Sequence, residues 1–304
     1  MSQARATPSF SAAVPALSFV LVWCTGYIAG KFMVQHAAAL TSLVWRFGLA
    51  GLLFALLAAW GRAKWPSLRE CVHSAVTGVL MLAMQFAGVY LALGWGASAG
   101  VTALVIGAMP LLVALLATLG GDERLRPLQW LGLLLGLLGV ALVVADRIDG
   151  ATPWRAWLAL IVGLCGISFG TLYQKRHASA LDMRVGLAVQ NLAATLLLLP
   201  GALWLEGFRF EASGDFYRPM LWAVLVNSLG GFALLFLLIR RGAATGVAAL
   251  FFLVPPVTAV FGHFVLGEHL TALKAAGFAF AAFGVWLVAR FQRRESSPPP
   301  ARQS

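Results

Sequence analysis

Ten apolar runs, each about as long as a bilayer is thick, constrain this chain more than any other feature. They cover 15–35, 40–60, 75–94, 99–119, 127–145, 154–173, 183–205, 219–239, 244–266 and 270–290. A hydrocarbon core about 30 Å thick needs ~20 apolar residues per helix. Inside lipid every backbone polar group must find a partner within the protein, so only helices and closed barrels span it. The runs are apolar on all sides and lack the ~10-residue alternating segments of an outer-membrane barrel. The expected fold is an all-α polytopic membrane protein with ten transmembrane helices. Composition agrees: 61% of the 304 residues are hydrophobic and 11% charged, with a mean hydropathy of +0.86. Soluble domains are about 45–50% apolar and about 25% charged, and disordered chains are low in hydrophobicity, so both classes are excluded. The first run is too long for the apolar region of a signal peptide and lacks a strongly basic start, so it is expected to stay. The stretch 296–304, with Pro298-Pro299-Pro300, reads as a disordered tail. Cys24, Cys71 and Cys165 are too few and too scattered for a disulfide framework or a metal site, and no cofactor is expected.

The formal net charge is +11, from 22 Lys and Arg against 11 Asp and Glu. In a membrane protein the question is which side holds the cations. With a cytoplasmic N-terminus, 15 of them fall inside, from Arg5 through Arg62, Lys64, Arg69 and Arg184 to Arg302. Five fall outside: Arg147, Arg155, Arg209, Arg218 and Lys274. Lys31 and Arg46 lie within helices. That asymmetry over short loops satisfies the positive-inside rule and places both termini in the cytoplasm. It also accounts for the basic charge without a nucleic-acid partner.

The chain repeats itself. Residues 100–121 align with 246–267, and 123–144 with 268–289, giving 14 identities over 44 pairs. Among them Gly100, Pro110, Glu123, Gly132 and Gly139 recur as Gly246, Pro256, Glu268, Gly277 and Gly284. Gly26-x-x-x-Gly30 in the first run corresponds to Gly166-x-x-x-Gly170 in the sixth. Each half therefore has five helices, over 1–145 and 146–295. An odd count turns the second half over in the membrane. Two inverted five-helix repeats are a hallmark of secondary transporters, with the substrate site between the halves near the midplane.

These residues resemble the EamA type of the drug/metabolite transporter superfamily. The resemblance rests on the ten helices in two repeats, Trp23 followed by Lys31, and Arg46-Phe47 in the second run. It rests also on the small-residue turns before each proline-containing helix (96–110 and 242–256) and the acidic starts at Glu123 and Glu268. It covers nearly the whole chain. It implies a carrier in the bacterial inner membrane, often an exporter of amino acids or related metabolites. It also implies a cavity among the first, third, fourth, sixth, eighth and ninth helices. The doubled Pro255-Pro256 and paired Arg240-Arg241 depart a little from the pattern and leave the substrate open.

Candidate site residues follow from polar and ionisable groups at membrane depth, which are functional hypotheses by default. Trp23, Tyr27 and Lys31 lie at i, i+4 and i+8, along one helix face. The alternative for this stripe is core packing with Lys31 snorkelling to the interface. Arg46 has Gln190 as its repeat counterpart, so the fold does not itself demand a charge there. Gln85 and Asn227 need partners in hydrocarbon, from another helix or from substrate. His263 and Glu268 are the fallback proton-coupling sites, since none of the eleven acids lies in the middle of a run. Pro110, Pro255 and Pro256 are candidate hinges. Gly96-Ala97-Ser98-Ala99-Gly100 fits the G-x-S-x-G pattern of a hydrolase nucleophile, which leaves a membrane-embedded serine hydrolase as the reading from another class. Its repeat counterpart, Gly242-Ala243-Ala244-Thr245-Gly246, lacks the serine and favours a tight turn. The expected partners are a small-molecule substrate and the bilayer. Uptake as against export, and a homodimer, are left open.

Overall fold

The computed structural model describes residues 10–119, 127–145, 152–177, 181–231, 233–234 and 253–292. Nearly all of these residues are helical. The helices are α1 (Phe10–His36), α2 (Ala39–Trp60), α3 (Leu68–Gly94), α4 (Ala99–Gly107), α5 (Met109–Leu119), α6 (Pro127–Ala145) and α7 (Trp154–His177). They continue with α8 (Met183–Trp204), α9 (Gly214–Leu221, extended by Trp222–Gly230), α10 (Val254–Leu266) and α11 (Ala272–Gln292). The only extended pairing among the described residues is an isolated bridge between Ala37 and Phe210. Six spans are long and apolar enough to cross a membrane: 17–36, 39–60, 68–94, 99–116, 154–177 and 183–204. They coincide with the first four runs and with the sixth and seventh. Shorter apolar helices cover 127–143, 254–266 and 272–284. Arg240-Arg241, Glu123, the start of the ninth run and the tail lie outside the described residues.

Among the described residues large apolar side chains face outward as well as inward. Leu56, Trp60, Leu134, Leu137 and Phe264 are among the large exposed side chains, whereas Ala29, Ala50, Ala83, Ala114 and Ala194 are buried. Lipid tails are as apolar as leucine, so burying large side chains drives nothing in a bilayer, and close contact of small residues holds helices together.

Two of the sequence runs change helical pitch part-way. In α3 the α-helix Leu68–Gly78 passes through a π-helical segment, Val79–Met84, before resuming over Gln85–Gly94. In α9 the π-helical segment is Trp222–Gly230. Each receives glycines from another helix. A Cβ on Gly166 of α7 would stand 2.7 Å from the carbonyl oxygen of Leu80, and one on Gly170 3.0 Å from Leu80 Cβ. A Cβ on Gly26 of α1 would stand 3.3 Å from Asn227 Nδ2. The two G-x-x-x-G pairs are thus seats for the π segments, although Gly30 takes the Tyr90 ring of α3 instead.

Most principal helix contacts join the two ends of the chain: α2 with α8, α3 with α7, α4 with α10, α6 with α11, and α1 with both α9 and α10. The α6–α11 contact is a glycine seam. A Cβ on Gly277 would lie 2.7 Å from the Gly139 carbonyl oxygen, and one on Gly284 would strike the carbonyl of Gly132.

The fourth run is broken. Helix α4 ends at Gly107, Ala108 turns, and α5 starts with Pro110 in its first turn. Pro255 and Pro256 also stand in a first turn, that of α10. There a missing N–H leaves no helical bond unmade.

Candidate substrate site and the ties around it

Arg46 is where the sequence places most charge at depth, and it is 5% exposed. Helix α2 carries it inward among Leu43, Phe47 and Ala50, all buried. Its Nη1 donates to the Tyr90 hydroxyl at 3.0 Å. The guanidinium carbon stands 4.6 Å from the centre of the Phe86 ring. Phe86 and Tyr90 lie one turn apart on α3, just past the π segment, so the change of pitch sets the face they present. A cation over an aromatic face is stabilised without an acid. The Tyr90 hydroxyl in turn donates to Met33 Sδ at 3.7 Å. Arg46 Nε is buried with no hydrogen-bond partner. Among the described residues no carboxylate lies within ion-pair distance of Arg46. Buried charges are ordinarily paired; here one hydroxyl and the neighbouring aromatic rings stand in place of a carboxylate.

Tyr27 is half-buried. It packs on both the large cluster around Tyr90 and the smaller one around Phe19, Cys24 and Val254. Trp23 belongs to the second cluster, with its ring 5.3 Å from Phe19. Asn227 Nδ2 donates to the Val22 carbonyl and, at 3.1 Å, to Thr25 Oγ1 on α1. Its Oδ1 is buried and unpartnered. Gln85 is buried where the π segment of α3 ends.

Lys31 sits apart from these. Its ammonium donates to the carbonyl oxygens of Leu93 and Ala97, both at 2.9 Å. It thereby ties α1 to the end of α3 and the turn that follows, where Gly96 adopts φ +101°. Ser98 caps α4: its Oγ accepts from the Val101 N–H at 3.2 Å. That is the work of a turn serine.

Two glutamates clasp helix starts across the bundle. Glu268, just beyond α10, accepts from the Ala99 N–H at 2.7 Å and the Gly100 N–H at 3.5 Å. Glu206, just beyond α8, accepts from the Leu40 N–H at 2.9 Å and from the Thr41 N–H and hydroxyl at 2.8 and 2.9 Å. A carboxylate satisfies orphan N–H groups there and sits favourably on the helix dipole. His263 Nδ1 lies 2.9 Å from the Glu268 carbonyl oxygen, next to the clasp. Nearby, His36 Nδ1 meets a Glu211 carboxylate oxygen at 2.8 Å. Sequence reasoning singled out Glu268 and missed Glu206, Phe86 and Tyr90. An acid directly after a helix end was the available signal for Glu206. Tyr90, the one tyrosine of the third run, was the signal for the Arg46 partner.

A bundle of apolar helices, six of them long enough to cross a bilayer, is the architecture of an integral membrane protein. The EamA-like transporter family matches the chain twice, over residues 11–145 and 153–290, and the chain belongs to that family. It is 26% identical over 270 residues to the Escherichia coli K12 protein named "Uncharacterized inner membrane transporter YedA", covering 88% of this chain and 87% of that one. It is 31% identical over 274 residues to the Pseudomonas aeruginosa "Uncharacterized transporter PA0485", covering 85% and 82%. The Salmonella typhimurium "Probable amino-acid metabolite efflux pump" is 24% identical over 289 residues, covering 90% and 92%. One solved crystal structure superposes with a TM-score of 0.62 at 18% identity, over 94% of this chain and 99% of the other, a likeness of fold alone.

Proposed function

We propose that this transporter is a secondary carrier that exports a small amphipathic metabolite bearing a carboxylate, an amino acid or a close relative, by alternating access. In this reading ten membrane helices form two inverted halves, with both termini cytoplasmic. The observation that carries the substrate class is the orphan Arg46 guanidinium on Phe86 and Tyr90. A guanidinium binds a carboxylate in a planar, two-pronged geometry, and the aromatic floor accepts an apolar side chain. Tyr27, Trp23, Gln85 and Asn227 surround the path, and the unpartnered Asn227 Oδ1 suits a substrate ammonium. Lys31 holds the α1–α3 junction at one end of it. The efflux pump among the relatives supports the export direction.

Reciprocity in the glycine seam supports the inverted repeat. Gly132 and Gly139 are the repeat counterparts of Gly277 and Gly284. The contact of Gly139 with Gly277 therefore maps onto that of Gly284 with Gly132, and both are made. A two-fold relation produces such paired contacts. The π segments of α3 and α9 likewise fall on corresponding helices of the two halves.

The test is counterflow in proteoliposomes with a panel of amino acids, their amides and their decarboxylated amines, guided by metabolite levels inside and outside expressing cells. Carboxylate-bearing substrates should exchange, and the amides and amines should not. Arg46→Gln at normal membrane abundance should lower flux about tenfold or more, the worth of one charged hydrogen bond. Amines exchanging as well as amino acids, or full flux in Arg46→Gln, would sink the reading.

A further inference from the structure

A cavity lies on the outside of the bundle, between α3, α7 and α8. It measures about 390 Å³. Its walls are apolar: Ala83, Ala87 and Leu91 on α3, Val162 on α7, and Leu197 on α8. Val162 and Leu197 are exposed, at 43% and 52%, so the groove opens sideways to lipid and not along the substrate path. Its depth comes from glycine. Gly88 lies against the backbone of Ala159 and Gly163, which draws α3 and α7 together along the floor. One polar residue lines the mouth. Arg155, at the start of α7, places its guanidinium carbon 4.9 Å from the centre of the Trp95 ring at the end of α3.

From Trp95 to Ala83 the groove runs twelve residues along α3. At about 1.5 Å per residue that is about 18 Å, slightly more than one leaflet of a hydrocarbon core about 30 Å thick. An apolar trough one leaflet deep, with a cation held over an aromatic ring at its rim, matches an acyl chain in length and complements an anionic headgroup in charge. The geometry points to a bound phospholipid of net negative headgroup, its acyl chain in the groove and its phosphate on Arg155. The guanidinium matches phosphate in shape and in charge, and Trp95 fixes it at headgroup level, where indole rings settle. A zwitterionic headgroup carries its own ammonium to compete for the phosphate, so a net negative lipid is preferred.

The test uses the full chain in nanodiscs with a phosphatidylglycerol that bears a photoactivatable diazirine on its acyl chain. Cross-linked peptides are mapped by mass spectrometry. Labelling should concentrate on 83–95 and 158–162. Unlabelled phosphatidylglycerol should compete it away, and phosphatidylcholine should not. Arg155→Gln should lower that labelling about fivefold, the effect of one cation near anionic lipid, and leave labelling of α2 and α11 unchanged. Ala87→Phe, which fills the groove, should remove it whatever the headgroup. Even labelling of all lipid-facing helices would overturn the proposal. So would equal competition by phosphatidylcholine, or an unchanged pattern in Arg155→Gln. None of these readouts involves transport, so the assignment stands or falls apart from the substrate reading.

Discussion

A guanidinium in a membrane interior stays charged, so its surroundings must supply what water would. At Arg46 they supply one hydroxyl and the rings of Phe86, Phe47 and Tyr90, and leave Nε without a hydrogen-bond partner. Arg46→Lys keeps the charge and loses the flat fork, so it should bind substrate about tenfold more weakly while folding normally; binding titrations on purified protein check this. Lys31 has the opposite character, since two carbonyl oxygens already hold its ammonium. Charged hydrogen bonds contribute about 1.5–3 kcal/mol each, so Lys31→Met should cost about 3 kcal/mol and lower the thermal midpoint in detergent. If Lys31→Met keeps its midpoint and loses flux instead, Lys31 belongs to the substrate path. Spacing placed Trp23, Tyr27 and Lys31 on one face, and that much was legible. Their separate destinations were not: Trp23 packs on Phe19, Tyr27 lies between that cluster and the one around Tyr90, and Lys31 reaches the turn after α3. Phe19 is one helical turn from Trp23, but Tyr90, Leu93 and Ala97 are distant in sequence, and no periodicity records them.

Helix existence was legible because a bilayer demands long apolar runs, and the run at 154–173 became a helix at Trp154–His177. The start of α3 was missed by seven residues, although Ser67 and Glu70 form a capping box, a sequence pattern in plain sight. The π segments were illegible, since nothing in Val79–Met84 differs in kind from its neighbours; seating on Gly166 and Gly170 accompanies the change of pitch. Two predictions belong to this scale. The α6–α11 seam has no room for a side chain, so Gly277→Val should destabilise by about 3 kcal/mol through overpacking, and Gly284→Val should do the same. Both are read as loss of the monodisperse peak in size-exclusion chromatography. The second concerns the start of α8, where Asp182 caps the Arg184 N–H at 2.9 Å. The Arg184 side chain and backbone hold the Asp182 carboxyl below its ordinary range. A depressed carboxyl contributes stability above its unfolded value and loses it as pH falls through the folded one. Amide exchange at Arg184 and Val185 should therefore be protected at neutral pH and deprotected below about pH 4, the ordinary aspartate value. In Asp182→Asn this pH dependence should vanish.

For the whole molecule, the asymmetry of cations predicts cytoplasmic signals from reporters fused at either terminus, and a periplasmic signal from either one would refute it. Among the described residues the acids sit at helix ends and in loops, and two of them, Glu206 and Glu268, are occupied as clasps on helix starts. Exchange or facilitated diffusion is therefore expected, with His263 or Glu268 as the remaining route for a proton. Accumulation driven by a pH gradient in proteoliposomes that survives both His263→Ala and Glu268→Gln would contradict this. The reciprocal seam has a consequence for how such a chain can diverge. At the seam the two contacts, Gly139 with Gly277 and Gly284 with Gly132, are repeat images of one another. If the halves descend from one duplicated unit, the four glycines are constrained together, and relatives that enlarge one should be found to have changed its contact partner in the same lineage.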